Sequence, residues 1–243
     1  MSLLTMVHPK MMHNFTLDQR LVELQQAKVR EIFHQEGRAK DRAREMALSA
    51  FFFADHVIGL IEAVNPLPSP IACRVGCHFC CFAQVELTPP EALILGDYVE
   101  QHFSEAEKKE LLARCQRSLD LQAAKDKKKI AKIREKLPCP LLRQGKCAAH
   151  PARPLVCRAM HALDPRACEQ ALKTADLSSP PYYAHRQEVF FSISQGLLAG
   201  CRAVGCQSEP LELNRALMDY CTQPQPRERW LLGEKVFNLP GRQ

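Results

Sequence analysis

The sequence predicts an all-α fold: a helical domain in which two irregular cysteine-bearing segments meet at a metal site. Three observations support this prediction. Helix-start signals recur along the chain, apolar residues repeat at helical spacing, and only residues 82–88 alternate, weakly, as a strand would. Glycine is scarce at 10 residues and 7% of the residues are aromatic, a composition that disfavours a strand-rich sandwich with many tight turns.

Two helices are expected ahead of the first cysteines. Thr16, with Gln19 three residues later, has the pattern of a helix cap, and an apolar stripe continues through Phe33. A second helix is expected over residues 40–64. Its C-terminal half is apolar nearly all round, as in a buried core helix, and the prolines that begin at Pro66 end it.

Further helices follow the first cysteines. The run Thr-Pro-Pro-Glu at 88–91 combines a cap, prolines at the first helical positions and a capping-box glutamate. Ser104 and Glu107 repeat the box and open a long polar helix that reaches about Lys136. Three more helices are expected. The first covers residues 182–198, the second begins at 208–210, and the third covers 227–236. Because no repeat or linker divides the sequence, we expect a single domain over residues 1–243.

The charge balance argues against nucleic acid as a partner. The formal net charge is +6, from 33 basic and 27 acidic residues, which is only mildly basic. The most basic run, 125–136, has no interleaved aromatic residues of the kind that stack on bases. We expect this run to be the solvated face of a helix. A protein partner stays open.

The N-terminal and apolar stretches predict a cytoplasmic protein that does not insert into a membrane. Residues 1–15 lack the apolar core of a signal peptide, since His8, Lys10 and His13 interrupt it. The stretch 51–64 contains charged residues and is shorter than the roughly 20 apolar residues that span a bilayer. In the reducing cytosol, the 12 cysteines indicate a metal site or catalysis before disulfides.

The first cysteine segment carries the strongest signal in the chain. Its four thiols lie within nine residues, at Cys73, Cys77, Cys80 and Cys81. In a helix the first three would share a narrow face, and in a loop Gly76 would let the backbone curl around one centre. Small buried hydrophobic residues are the competing interpretation. His78 lies between the cysteines and is interpreted as a neighbour of the site, with ligation as the alternative.

The second cysteine segment adds three thiols, at Cys139, Cys147 and Cys157. Because a closed zinc or iron–sulfur centre takes about four ligands, the two segments together predict one shared site. Adjacent side chains diverge, so three sulfurs of the first segment share a centre easily and a fourth comes from elsewhere. Cys157 is the first candidate for this fourth ligand. Arg153 and Arg158 are expected to compensate the negative charge of the thiolates.

Together the two segments resemble the YkgJ-type cysteine-cluster proteins, also called the CxxCxxCC family. The resemblance covers residues 73–158, about a third of the chain, and includes the Cys-Pro-Leu-Leu and Arg-Pro-Leu-Val-Cys-Arg pieces of the second segment. The first gap here is three residues, and Ala159-Met160-His161 replaces the family's aromatic-proline ending. The resemblance implies chelation of zinc or iron by a cysteine core at 73–158, flanked by N- and C-terminal helices. Its members include flagellin-lysine methylases.

Three functions are consistent with this pattern. The first is a metal-binding protein that holds zinc or an iron–sulfur cluster for a structural or metal-handling purpose. The second is an iron–sulfur enzyme, either a protein methylase that uses S-adenosylmethionine or a radical-type enzyme, although no alternating strand–helix units predict the barrel of the latter. The third is electron transfer. Because there are more cysteines than one zinc needs, the sequence favours an iron–sulfur cluster or two metals.

The five other cysteines give weaker signals. Cys201 and Cys206 suggest half of a further metal site, but cysteines of this kind are more often core residues. Cys168 and Cys221 lie outside the resemblance and receive no role. Cys115 is expected to be structural.

Overall fold

The computed structural model describes residues 9–10, 16–36, 41–174 and 180–239. Helix makes up 65% and strand 5%, which confirms the all-α prediction. The helices of this part of the chain are α1 (Gln19–His34), α2 (Arg42–Val64), α3 (Pro89–His102), α4 (Glu105–Gln122), α5 (Lys127–Ile133), α6 (Leu155–Ala159), α7 (Pro165–Thr174), α8 (Ala184–Ala203), α9 (Leu213–Thr222) and α10 (Pro226–Leu231).

The strands are short and form three separate antiparallel pairs. Their bounds are β1 (Pro9–Lys10), β2 (Glu86–Leu87), β3 (Leu142–Arg143), β4 (Lys146–Cys147), β5 (Tyr182–Tyr183) and β6 (Leu211–Glu212). β1 pairs with β5, β2 with β6, and β3 with β4. β2 is the one part of the expected 82–88 strand that forms, with Leu87 opposite Leu211.

Helix α8 lies at the centre of the core and packs against α1, α2 and α6. Two glycines let α1 approach α8 closely. A Cβ on Gly196 would stand 2.5 Å from the carbonyl oxygen of Val22, and one on Gly200 would stand 2.4 Å from Cβ of Val29. Since real Cβ atoms do not approach other atoms so closely, larger side chains would push the two helices apart.

Both predicted capping boxes are present. Ser104 and Glu107 cap α4. At α3 the Glu91 carboxylate accepts a hydrogen bond from the Thr88 amide, whereas the Thr88 hydroxyl has no hydrogen-bond partner among the described residues. The cap predicted at Thr16 is wrong, because the side chain of Asp18 accepts hydrogen bonds from the first backbone amides of α1. An aspartate nearer the helix satisfies those donors directly.

The prediction of one long helix from Ser104 to about Lys136 is also wrong. α4 ends at Gln122, and Ala124 adopts a left-handed conformation with φ of 55°. The chain then restarts as α5, where the Asp126 carboxylate accepts a hydrogen bond from the amide of Lys129 at 2.8 Å. The basic run therefore lies on a short separate helix and a following 3-10 turn, Arg134–Lys136.

Three helix bounds in the C-terminal third differ from the sequence prediction. Residues 182–183 form β5, so α8 begins two residues later than expected and continues to Ala203. The motif at 208–210 precedes β6, and α9 begins at Leu213 under the side-chain cap of Glu212. α10 ends at Leu231, five residues short of the predicted end.

α2 is the one described helix that is long and apolar enough, by length and composition, to cross a membrane. One of its faces packs against α1, α3 and α8. The opposite face exposes Phe52, Leu60 and Val64. Core helices of globular proteins have a similar composition.

Candidate metal centre

A cavity of about 690 Å³ lies where the two cysteine segments meet. All seven cysteines proposed as ligands from the sequence line it: Cys73, Cys77, Cys80, Cys81, Cys139, Cys147 and Cys157. Arg153 and Arg158 line it as well. The segments also touch directly, since the amide of Cys139 donates a hydrogen bond to the carbonyl oxygen of Cys81 at 2.6 Å. Residues more than 50 positions apart thus share one site.

The first segment is a loop and not a helix, which decides between the two conformations considered for it. Gly76 has φ of 92°, a left-handed conformation that suits glycine. The amide of Cys77 closes a turn onto the carbonyl oxygen of Arg74 at 2.9 Å. A 3-10 turn, Phe79–Phe82, then carries Cys80 and Cys81.

The second segment begins with a tight hairpin between β3 and β4. Gln144 and Gly145 both have positive φ, at 48° and 72°, as a two-residue hairpin turn requires. The backbone amide of Leu141 donates a hydrogen bond to the sulfur of Cys139. The backbone amide of Ala149 donates a hydrogen bond to the sulfur of Cys147. Such donors stabilise thiolates, which is the form that binds a metal.

Helix α6 carries Cys157 and is attached to the core through a buried carboxylate. Oε1 of Glu91 accepts a hydrogen bond from the amide of Leu155 at 2.6 Å, and Oε2 accepts one from the amide of Thr88 at 2.7 Å. Desolvation raises the pKa of Glu91, although these hydrogen bonds oppose the shift. The glutamate of the predicted capping box therefore caps α6 as well as α3, which fixes the position of Cys157.

Among the cavity thiols whose pKa is shifted, all but one have a raised pKa, which favours the neutral form. Burial raises the pKa of Cys139 to about 11, and it also raises the pKa of Cys147 and of Cys157. Cys80 is the exception, because a hydrogen bond from the Cys81 thiol lowers the pKa of Cys80 to about 7. A bound cation reverses this situation, since it deprotonates the thiols that coordinate it.

Arg153 and Arg158, the two arginines expected to compensate the thiolates, make different contacts. Arg153 interacts electrostatically with Cys80 and Cys147, and its buried Nε atom has no hydrogen-bond partner among the described residues. Arg158 donates to the carbonyl oxygens of Arg153 and Pro151, at 3.0 and 2.9 Å. Arg153 thus supplies positive charge beside Cys80 and Cys147, whereas Arg158 holds the turn that carries Arg153 and interacts electrostatically with Cys157.

The nearby histidines differ in how free their ring nitrogens are. His161 uses both nitrogens: Nδ1 bonds the carbonyl oxygen of Ala159 at 2.8 Å, and Nε2 accepts from the amide of Tyr183 at 2.8 Å. Nδ1 of His78 bonds the carbonyl oxygen of Gly76 at 2.9 Å. His150 is exposed, lines the cavity and was not proposed from the sequence. His161 also lines the cavity, but both of its ring nitrogens are engaged, so His150 is the one of the three that a ligand or substrate would reach.

The thiols form pairs instead of converging on one point. The thiol of Cys73 donates to Cys77, and that of Cys81 donates to Cys80. Within the described ranges, no group of three His, Cys, Asp or Glu side chains stands close enough to hold a metal ion. Coordination therefore requires the side chains to change rotamer inside the cavity, breaking these thiol hydrogen bonds.

Of the five remaining cysteines, Cys221 lies on α9 and does not line the cavity, and the other four fall into two groups. Cys115, Cys201 and Cys206 are buried in the hydrophobic core, as the structural interpretation of these residues expected. Cys168, on α7, lies close enough to Cys73 to interact electrostatically with it. The sequence did not indicate this proximity, since α7 was not predicted.

Comparison with protein families, with curated proteins and with solved structures finds no match to this chain. The interpretation of the site therefore depends on its own residues. These are clustered thiols, backbone amides directed at sulfur, and the buried Nε atom of Arg153 beside them.

Proposed function

We propose that this protein binds a metal ion or an iron–sulfur cluster through cysteine thiolates of both segments. The observation that carries the proposal is the convergence of seven cysteines, from two distant parts of the chain, on one cavity. Thiolate is the ligand that zinc and iron–sulfur clusters take most often in proteins. A reducing, cytoplasmic environment is part of the same proposal, because it keeps these thiols from forming disulfides.

Cys139 and Cys147 pack against the hydrophobic core, but Cys73 and Cys80 do not behave as small core residues. Cys115 and Cys201 are fully buried among apolar side chains, as expected for cysteines that only fill space. Cys73 and Cys80 are exposed and belong neither to the hydrophobic core nor to the described residues packed against it. Exposed thiols grouped at one opening support a chemical role for the group.

The surroundings of the sulfurs fit a negatively charged thiolate centre. The backbone amides of Leu141 and Ala149 already donate to sulfur, and the Nε atom of Arg153 is buried without a partner. A buried, unpaired donor is costly unless something accepts from it. Thiolates bound to a metal would satisfy that donor and balance its charge.

The donor set favours iron–sulfur or two metals over a single zinc ion. Seven cavity thiols exceed the four that one tetrahedral zinc takes. The donors are soft sulfur atoms, with which both zinc and iron–sulfur clusters form stable bonds. When bound, a cluster would supply redox or Lewis-acid chemistry, and zinc would supply structural support.

An enzyme is the second candidate function, and the size of the cavity favours it. Its 690 Å³ falls within the roughly 300–1,000 Å³ of small-molecule sites, so room would remain beside a metal. Arg186 and His150 line that space, which gives it basic and hydrogen-bonding groups. The methylase suggested by the family resemblance would use such space for its methyl donor and substrate.

Anaerobic purification, followed by analysis of iron, zinc and acid-labile sulfide per chain, tests the proposal. Acid-labile sulfide distinguishes a cluster from zinc. Replacing Cys157 or Cys77 with serine should reduce the metal content to a similar degree, whereas Cys221→Ser, on α9 away from the cavity, should leave it unchanged. Metal-free protein, both as purified and after anaerobic reconstitution with either metal, would refute metal binding.

Incubation of the loaded protein with S-adenosylmethionine separates the two candidate functions. Formation of S-adenosylhomocysteine or 5′-deoxyadenosine would support an enzyme. Stable metal loading without turnover, across methyl-acceptor peptides and reductants, would favour a metal-binding protein.

A further inference from the structure

We infer that a second cavity, lined by residues of α4, α5 and α9, binds a small organic cation that carries N–H donors and an apolar body. It is called the amide cavity here, because the side-chain amides of Gln84, Gln122 and Asn214 line it. Its volume is about 420 Å³, within the roughly 300–1,000 Å³ of small-molecule sites. The inference goes beyond the proposed function and does not depend on a bound metal.

The break between α4 and α5 forms one side of the amide cavity. Ser118 and Gln122, near the end of α4, line the cavity together with Ile130 and Ala131 of α5. In one continuous helix Ser118 and Ala131 would lie about 20 Å apart, because each residue advances a helix by about 1.5 Å. The left-handed conformation of Ala124 turns the chain instead, so that both helices contribute to one cavity. The break thus creates the space that a ligand would occupy.

The amide cavity adjoins the cavity that the cysteines line. The residues that line both are Ala83, Gln84, Val85, Cys139, Val156 and Leu213. A ligand in the amide cavity would therefore lie next to the proposed metal centre, on the other side of these shared residues.

Asn214 gives the amide cavity a buried acceptor. Its Nδ2 atom donates to Oε1 of Glu212 at 2.5 Å, and Oε2 of Glu212 accepts from the amide of Arg215 at 2.8 Å. The side-chain amide of Asn214 is therefore held by its nitrogen, and the residue is only 7% exposed. Its Oδ1 atom has no hydrogen-bond partner among the described residues. Because a buried acceptor without a donor is unfavourable, this oxygen is suited to accept from an N–H group of a ligand.

The side-chain donors of the amide cavity, unlike this acceptor, already have partners. Nε2 of Gln84 donates to Oε1 of Gln122. Nε2 of Gln122 donates to Oγ of Ser118 at 2.9 Å, and Ser118 is itself buried. Each of the three side-chain amides thus has a bonded nitrogen, whereas the Asn214 oxygen is unpaired among the described residues. The cavity therefore favours a ligand that donates hydrogen bonds over one that accepts them.

The charged residues around the two cavities differ in sign, which indicates the charge of the ligand. Among the described residues, Glu86 and Glu212 line the amide cavity together with one cation, Arg134. The described Arg, Lys, Asp and Glu residues that line the cysteine cavity are all basic: Arg74, Lys146, Arg153, Arg158 and Arg186. A cation is therefore attracted to the amide cavity by its two carboxylates.

Apolar side chains complete the lining of the amide cavity. They include Phe82, Val85, Leu137, Val156 and Phe191. Burial of a hydrocarbon body against these side chains is favourable, and the donors of the ligand would then lie towards the polar residues. A small alkylammonium ion has both parts.

Titration of the full-length protein with n-butylammonium at neutral pH, followed by NMR of the backbone amides, tests the inference. The probe should shift the resonances of residues around Gln122 and Asn214. Butyltrimethylammonium keeps the charge but has no N–H group, so it should bind about tenfold more weakly. Butyrate reverses the charge and should leave these resonances unchanged.

Variants locate the binding site of the probe. Asn214→Leu removes the acceptor at similar side-chain volume and should weaken n-butylammonium binding about tenfold. Ile130→Trp places an indole group in the lining and should abolish the shifts. The matched control is Ile133→Trp on the same helix, because Ile133 is half-buried and is not among the residues that line the cavity. Circular dichroism checks that each variant is folded.

Three results would overturn the inference. Equal binding of n-butylammonium by the wild type and by Ile130→Trp would place the probe outside the amide cavity. Equal affinities for n-butylammonium and butyltrimethylammonium would show that charge alone is recognised. The absence of shifts with every probe would mean that the Asn214 oxygen is satisfied by an ordered water only. The metal content of Ile130→Trp should equal that of the wild type, so none of these results depends on the proposed function.

Discussion

Helix α8 and the first cysteine segment are held in place by different means. In α8, 13 of the 20 residues are buried. Along residues 62–86, which contain the first four cavity cysteines, no residue is buried. Burial of apolar surface stabilises α8 by about 1.5–3 kcal/mol for each large side chain, and this source of stability is missing from the cysteine segment. The comparison indicates that the segment takes its shape from backbone turns and, under the proposed function, from the metal that its thiols would bind.

Metal removal is expected to have the largest effect, and it should act on the first cysteine segment rather than on α8. If the bound metal is present at about 1,000 times its dissociation constant, removal lowers the free energy of unfolding by about 4 kcal/mol. For a chain of this size the melting temperature should fall by roughly 10 °C. A strong chelator, followed by calorimetry and hydrogen exchange, checks this. Exchange should accelerate in residues 71–83 much more than in α8. An unchanged melt after verified metal removal would rule out a structural role.

A core cavity made by a substitution in α8 should lower stability without changing the metal content. Ile193 is fully buried, so Ile193→Ala should lower the free energy of unfolding by about 3 kcal/mol through lost apolar contacts. Its metal content per folded chain should equal that of the wild type, because Ile193 is not among the residues that line the cavity. Urea unfolding and metal analysis of the same sample measure both quantities. Metal loss from the folded variant would show that core and site are coupled.

The same substitution, cysteine to serine, can be made in the core and in the cavity, which makes the comparison sharper. Cys201→Ser places a hydroxyl in the apolar core and should cost about 2 kcal/mol of stability, with full metal retention. Cys157→Ser should instead lose metal, and its stability should resemble that of the chelated wild type. Metal analysis and urea unfolding of both variants check this. If both lost metal equally, cysteines would not divide into core and site groups as proposed.

The helices that the sequence predicted best are those with strong local signals. The capping boxes at Ser104 and at Thr88 fix their helices through contacts between residues three apart, which the sequence displays directly. The break at Ala124 was missed, since a non-glycine residue with positive φ carries no clear sequence signal. α7 was missed as well, because it spans only 10 residues and its apolar stripe contains one large side chain, Leu172.

The candidate site was predictable in composition but not in arrangement. Cysteine spacing identified the seven thiols that line the cavity, since spacing is a local property. The second hydrogen bond of Glu91, to Leu155, joins residues 64 positions apart and depends on tertiary packing. The proximity of Cys168 to Cys73 likewise depends on tertiary packing, because it follows from the position of α7. Contacts of this kind have no signature in one sequence.

The smallest expected effect concerns Glu62, which lies at the boundary between the two regions. Its carboxylate accepts hydrogen bonds from Nε and Nη2 of Arg186, at 2.6 and 2.7 Å, and lies 2.9 Å from Nε2 of His185. Arg186 also lines the cavity, so this ion pair connects the end of α2 to the site. Because the pair is partly exposed, Glu62→Gln should lower the free energy of unfolding by about 1 kcal/mol at neutral pH.

The pH dependence of that difference identifies the ion pair as its cause. Desolvation opposes ionisation of Glu62, but the hydrogen bonds from Arg186 and His185 outweigh it and lower the pKa below its ordinary value of 4.5. A lowered folded-state pKa contributes stability that is fully present above 4.5 and is lost as the pH falls through the folded value. The gap between wild type and Glu62→Gln, from urea midpoints measured between about pH 7 and pH 3, should therefore close in acid. Glu110→Gln, an exposed carboxyl of α4, should show no such gap. A gap that stayed constant to low pH would assign the effect of Glu62 to packing and not to charge.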